Sequence, residues 1–200
     1  MPTARPAPRA RAVVAATTPD ATIAVRVQAL RQARGLSLAA LAAASGVSKA
    51  MISRVERAQS SPTAALLGRL AAGLQCTLSD LLLEPAPAPR RLHLHAEQLT
   101  WRDPALGYRR RQVGPPDPAT GVELVEVELQ RRTRVSYPRW SGRPYAQRLW
   151  LLQGSLQVDY GDERFLLCPG DCLDMAVDRA VSFTAGADAA CRYLLVMASA

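Results

Sequence analysis

LAALAAASGVSKAMISRVER, residues 38–57, decides the reading of this chain. Apolar residues recur at helical spacing on both sides of Gly46. On the second segment Ile52 and Val55 share one face, while Lys49, Ala50, Ser53, Arg54 and Arg57 take the other. Gly46 supplies the left-handed backbone that a tight turn needs. Two short helices joined in this way, the second oily on one side and basic on the other, form a helix-turn-helix. That device lays its second helix in the major groove of DNA.

The flanking residues extend the pattern in both directions. A first helix is predicted over about residues 22–34, with Ile23, Val27 and Leu30 inward and Gly35 ending it. Ser37 is placed to cap the second helix, which turns Leu38 and Leu41 inward, and Ser48 to cap the third. SSPT at 60–63 caps a fourth helix carrying Leu66, Leu67 and Leu70, and Thr77 caps a short fifth, LSDLL. The expected fold is an all-α five-helix bundle over residues 20–83. Residues 1–19, rich in Pro, Ala and Arg, are expected to be a disordered basic tail. Arg5, Arg9 and Arg11 are read as solvated, with a minor-groove arm as the alternative.

RQARGLSLAALAAASGVSKAMISRVERAQSSPTAALLGRLAAGLQCTLSDLL, residues 31–82, resembles the phage-repressor-like helix-turn-helix family, also called XRE. The resemblance implies that Lys49, Ala50 and Arg54 face base edges. Arg or Lys can donate to guanine O6 and N7, and an alanine methyl can meet that of thymine. It puts Ser37, Ser48 and Arg57 at phosphates, which position a protein without specifying sequence. It also implies a structural ion pair between Arg31 and Glu56. A protein-binding bundle without DNA contact is the alternative.

Charge distribution agrees with an anionic partner for the N-terminal half. The chain carries a net charge of +8. Residues 1–89 hold 10 Arg/Lys against 4 Asp/Glu, whereas residues 90–200 hold 15 against 13. Compositional bias explains why Lys49 is the only lysine, but not that asymmetry. No apolar run approaches the roughly 18–20 residues that span a membrane, and AVVAA at 12–16 is too short for a secretory signal. A cytoplasmic location is expected. Cys76, Cys168, Cys172 and Cys191 read as reduced thiols and not a disulfide framework. Cys168 and Cys172 could approach across a turn, packed or as a zinc or redox pair.

EPAPAP, within a linker at 84–90, marks a change of pattern. Beyond it, short runs alternate with turn signals: RLHLH, YRRRQV, VELVEVELQ, TRVSY, RLWLLQ, SLQVDY, RFLL and CRYLLVM. Many short strands suggest a sandwich or small barrel over residues 91–200. RLWLLQGSLQVDYGDERFLLCPGDCLDMAVDRAVSF, residues 148–183, resembles a cupin, through the strand–Gly–strand at Gly154 and the Pro169–Gly170–Asp171 turn. An all-β cupin-like barrel is therefore expected behind the helical bundle.

The metal chemistry of cupin enzymes does not carry over. The resemblance places their ligand positions at Ser141, Arg143, Gln147 and Val181, none a usual ligand, so neither metal nor cofactor is expected. His93 and His95 are the only histidines. In a strand their rings would share a face, but two ligands lack a third. A metal-free pocket remains open, with Tyr137, Arg143, Tyr145, Gln147 and Trp150 as candidate ligand residues and Trp140 beside them. Arg143 could meet a carboxylate or phosphate. Core filling or a dimer interface is the alternative for the aromatics.

The expected function is sequence-specific regulation of transcription by a homodimer on a duplex operator, with the cupin-like domain sensing a small-molecule effector, dimerising, or both. Two recognition helices one DNA turn apart, roughly 34 Å, would read a two-fold site. The alternatives are a cupin enzyme tethered to DNA and an antitoxin-like DNA-binding protein.

Overall fold

The computed structural model describes residues 19–83, 91–117, 119–140 and 145–199. The predicted tail, but for residue 19, and the predicted linker at 84–90 lie outside these residues. Pro19 is already helical. Five helices lead the chain: α1 (Pro19–Ala33), α2 (Leu38–Ser45), α3 (Lys49–Glu56), α4 (Ala64–Gly73) and α5 (Leu78–Leu82).

Local signals place these helices. Ser37, Ser48, Thr63 and Thr77 accept hydrogen bonds from the first-turn amides of α2, α3, α4 and α5, satisfying donors that a helix start leaves open. Thr77 and Asp80 complete a reciprocal capping box. Gly46 ends α2 at φ 66°, and α2 and α3 meet at 113°, within the range of a helix-turn-helix. Ile23, Val27, Leu41, Ile52, Leu67 and Leu70 fill the space between helices and are fully buried. No single described helix is long and apolar enough to cross a membrane.

Ten strands follow: β1 (Thr100–Arg102), β2 (Tyr108–Gln112), β3 (Val122–Leu129), β4 (Arg134–Tyr137), β5 (Tyr145–Gln153), β6 (Leu156–Tyr160), β7 (Glu163–Leu167), β8 (Cys172–Met175), β9 (Val181–Ala185) and β10 (Cys191–Ser199). They form two antiparallel sheets, in the orders β1-β2-β3-β10-β5-β8 and β4-β9-β6-β7. The eight strands from β3 onward have the crossed connectivity of a jelly roll, the architecture of cupins. β1 and β2 extend the larger sheet toward the helices. The described strands thus form two separately hydrogen-bonded sheets, a β-rich domain of the cupin-like kind expected.

Two strand readings need correction. RLHLH is not a strand: His93 lies in irregular chain and His95 opens a 3-10 turn (His95–Glu97). The same-face argument for the two histidines falls with it. Conversely β1, β8 and β9 had no place among the predicted runs. β1 and β8 are three and four residues long, too short for alternation to stand out.

The helices and the jelly roll share one continuous hydrophobic core. Polar contacts stitch the same boundary. Asp103, after β1, accepts the Ala64 amide at the start of α4 at 2.6 Å. Arg110 on β2 donates through Nη2 to Ser79 Oγ on α5 at 2.7 Å, and Ser79 donates to Gln112 Oε1 at 3.1 Å. Thr77 Oγ1 lies 3.2 Å from Glu123 Oε1 on β3. At Gly68 on α4, an added Cβ would stand 2.7 Å from the Tyr137 ring, so α4 approaches β4 more closely than an alanine permits.

All four cysteines are free; Cys168 and Cys172 are exposed and Cys76 and Cys191 buried. Burial, with Asp80 adding to it, pushes the Cys76 thiol up to about 12, and burial pushes Cys191 up to about 11. Both values lie above the ordinary thiol value of 9.0, so the folded state holds these protons longer than the unfolded state. Their contribution to stability is complete below pH 9 and declines as pH rises toward 11–12. A thiol reagent at neutral pH is expected to label two cysteines promptly and the other two only on unfolding. Prompt labelling of all four would contradict this packing.

Candidate functional site

The outer face of the helix-turn-helix carries the predicted DNA-contacting set. Ser37, Ser48, Lys49, Ala50, Arg54 and Arg57 are exposed and Ser53 is half-buried. Ile52 and Val55 anchor α3 from below at 0% and 1% exposure. The serines at 37 and 48 spend their side-chain oxygens on caps, accepting from the Ala40 amide at 3.0 Å and the Met51 amide at 3.2 Å. Arg54 sits in the last turn of α3 and Arg57 at its C-cap, where cations also complement the helix dipole.

A bidentate pair holds α3 against α1. Arg31 Nε and Nη2 donate to Glu56 Oε1 and Oε2 at 2.6 and 2.8 Å, and Arg31 Nη1 donates to the Leu36 carbonyl at 2.9 Å. The side chains are only 13% and 7% exposed. The hydrogen bond to Glu56 raises the Arg31 pKa further, so the guanidinium is permanently charged. This is the pair that the resemblance implied, and the contact is between helices.

The second site is a cavity of about 80 Å³ where the helical region meets the jelly roll. Tyr137, Tyr145 and Gln147 line it, as does Trp140. Trp150 does not: it is 48% exposed on the outer face of the larger sheet. Gln147 is buried on the same strand, and residues an odd number apart point to opposite faces, so Trp150 is withdrawn as a ligand residue. Arg143 lies outside the described residues. Sequence reasoning missed Tyr108, Arg110 and Tyr193, which also line the cavity, and a wall made of Gly68, Ala71, Ala72 and Leu78 from α4 and α5. The alternation of YRRRQ marks Arg110 as one of two faces, but only the tertiary fold shows which face is inside.

Burial holds the phenols here in their neutral form. It pushes Tyr145 up to about 12 and raises Tyr137 and Tyr193 well above the ordinary tyrosine value. Neutral phenols can donate hydrogen bonds. Two arginines, four tyrosines and a glutamine are a poor donor set for a metal ion, because a guanidinium repels a cation and a phenol this reluctant to ionise makes a weak ligand. Of the four positions that hold metal in cupin enzymes, Gln147 and Val181 line the cavity; 141 and 143 are outside the described residues.

Known proteins resemble the chain in two ways. The family model described as Helix-turn-helix (HTH_3) matches residues 27–81. The HTH-type transcriptional regulator SutR of Escherichia coli (strain K12) is 46% identical over 66 residues, which cover 33% of this chain and 37% of that relative's length. A solved HTH_3 family transcriptional regulator from Vibrio cholerae is 25% identical, covering 91% of this chain and 97% of its own, with a TM-score of 0.75. The solved Cupin_2 domain of an XRE family transcriptional regulator from Enterobacter cloacae covers 45% of this chain and 94% of its own at 11% identity and a TM-score of 0.42, a likeness too weak to build on. The cap serines, the 113° helix pair and the family match agree on the same residues, and the Vibrio structure shares the two-part architecture behind them. Residues 27–81 are thus a helix-turn-helix domain of the HTH_3, or XRE, type, set in front of a β-rich domain with cupin-like topology.

Proposed function

We propose that this chain is a sequence-specific DNA-binding transcriptional regulator and not an enzyme. The observation that carries the reading is α3: a helix anchored by Ile52 and Val55 whose outward face bears Lys49, Ala50, Arg54 and Arg57 in a helix-turn-helix frame. In this reading Lys49, Ala50 and Arg54 meet base edges, with Ser53 beside them, and Ser37, Ser48 and Arg57 meet phosphates. Two copies bind a two-fold operator. The outer face of the larger sheet, where Leu124 and Trp150 are exposed, offers apolar surface for their pairing. The jelly roll serves sensing, pairing or both. A regulator of this kind acts in the cytoplasm, where its DNA is.

The test starts with selection of sites from a random DNA pool. A short two-fold consensus bound far more tightly than scrambled DNA is expected. On that site Arg54→Ala should cost about 1–3 kcal/mol of specific binding and relax sequence choice at one position, whereas Arg57→Ala should weaken all sequences alike. Equal losses on specific and scrambled DNA for Arg54→Ala would overturn its assignment to base readout. Binding that is weak, salt-sensitive and indifferent to sequence would overturn the regulator reading itself.

A further inference from the structure

The cavity is lined by a buried cation that forms no ion pair with any described residue. Arg110 is 4% exposed, and its Nη2 donates to a neutral serine hydroxyl. Its Nε has no hydrogen-bond partner, and no described carboxylate lies within ion-pair distance of it. Arg179, the other arginine lining the cavity, is paired with Glu163 at 2.6 Å. Neighbouring arginines on β2 are also neutralised: Arg109 by Glu128, and Arg111 by Glu126 at 2.6 Å. The buried carboxylate of this region, Glu123, meets Thr77 through Oε1 and leaves Oε2 without a partner, beyond ion-pair distance of Arg110. A buried, unpaired charge is expensive unless something supplies its partner.

We propose that the cavity at Arg110 binds a small organic oxyanion with an apolar body, such as a carboxylate, and that helix α4 is part of the wall of this site. The guanidinium supplies charge and a hydrogen-bonding fork, which suits a carboxylate or phosphonate. Neutral phenols at Tyr137, Tyr145 and Tyr193 and the amide of Gln147 supply uncharged donors. Leu195, Met197 and Phe183 supply the apolar remainder of the lining. The guanidinium supplies the positive charge that a metal ion would otherwise bring.

The location of the site gives it a consequence for DNA binding, and this second step rests on the regulator reading above. Gly68, Ala71 and Ala72 on α4 face the cavity, and Gly68 touches the Tyr137 ring too closely for a Cβ. α4 packs in turn on α2. An oxyanion that orders Arg110 and Tyr137 therefore changes the surface on which the helix-turn-helix rests. Occupancy changes operator affinity to the extent that the ligand prefers one of two arrangements of that boundary.

The experiment uses the full chain, with butyrate and benzoate as probes and butyramide and benzamide as neutral counterparts of the same shape. Binding is followed by calorimetry and tryptophan fluorescence, since Trp140 lines the cavity. The acids are expected to bind one per chain and the amides at least roughly ten-fold more weakly, with Arg110→Gln removing that preference. Arg110→Lys keeps the charge but loses the fork, and should retain part of the preference, so the test survives if Arg110→Gln does not fold. Arg109→Gln, with the same change in net charge on the outer side of β2, should bind as wild type. Equal binding of acids and amides, acid binding undiminished in folded Arg110→Gln, or no saturable binding up to about 10 mM overturns the site. Operator affinity is then measured with and without the tighter acid. A change of roughly three-fold or more supports the α4 link, and no change overturns it while leaving the site standing. Acid binding in a chain that shows no sequence-specific DNA binding overturns the regulator reading and not the site.

Discussion

Glu56→Ala is expected to destabilise the helix-turn-helix domain by about 3–5 kcal/mol, because it leaves Arg31 as an uncompensated cation in a largely buried position. Both partners are nearly closed off from water, and the contact is bidentate across helices 25 residues apart in sequence. The wild-type pair fixes how α3 lies on α1, so DNA binding should be lost together with stability. Urea unfolding followed by helical circular dichroism gives the first quantity, and operator binding at low temperature the second. The double variant Arg31→Met/Glu56→Leu should recover most of the lost stability, since it removes both charges and replaces them with apolar volume. A single variant that costs under about 1 kcal/mol would show that the pair behaves as an exposed salt bridge.

Asp103→Ala is expected to be the most damaging change at the boundary between the two halves, at about 2–3 kcal/mol. One carboxylate serves three backbone donors: the Ala64 amide at 2.6 Å, and the Ala105 and Leu106 amides at 2.8 and 3.0 Å. It is 5% exposed and the Ala64 amide is buried with it, so its removal strands that donor away from water, while the amides of exposed Ala105 and Leu106 can turn to solvent. It also caps α4 from the jelly-roll side, where a negative charge suits the helix dipole. Differential scanning calorimetry should show one cooperative transition in the wild type, broadened or divided in the variant as the halves lose their common seat. Asp103→Asn keeps an acceptor oxygen and should fall between the two. An unchanged single transition in Asp103→Ala would mean that the apolar boundary alone holds the halves together.

Much of the N-terminal half was legible in the chain itself. Ser37, Ser48, Thr63 and Thr77 cap helices because a hydroxyl meets an amide three residues away. Ile23, Leu41, Ile52 and Leu70 are buried because helical periodicity turns them to one side. The β half was legible more coarsely. Alternation located most strands, yet RLHLH alternates and is no strand, while β8 and β9 pair without having been singled out. Alternation describes a strand that already has a partner, and the partner is a distant segment.

The candidate sites divide along the same line. The basic face of α3 follows from eight consecutive residues, and its helix, cap and polarity are all local. The cavity could not be foreseen. Tyr137, Tyr145 and Gln147 were candidates by position, but Trp150 was placed with them and points the other way. Arg110 looked like one basic residue among three. Its burial depends on β2 joining β3, where Arg110 stands opposite Val127, and on Ser79 of α5, 31 residues away in sequence, lying across it. The sequence by itself determined the helices, their caps and the basic outer face of α3, because the free energies that set them act within a few residues. Only the tertiary structure decided that the helical half sits on the jelly roll and encloses an unpaired arginine, because that boundary is built from side chains whose neighbours come from other elements of the chain.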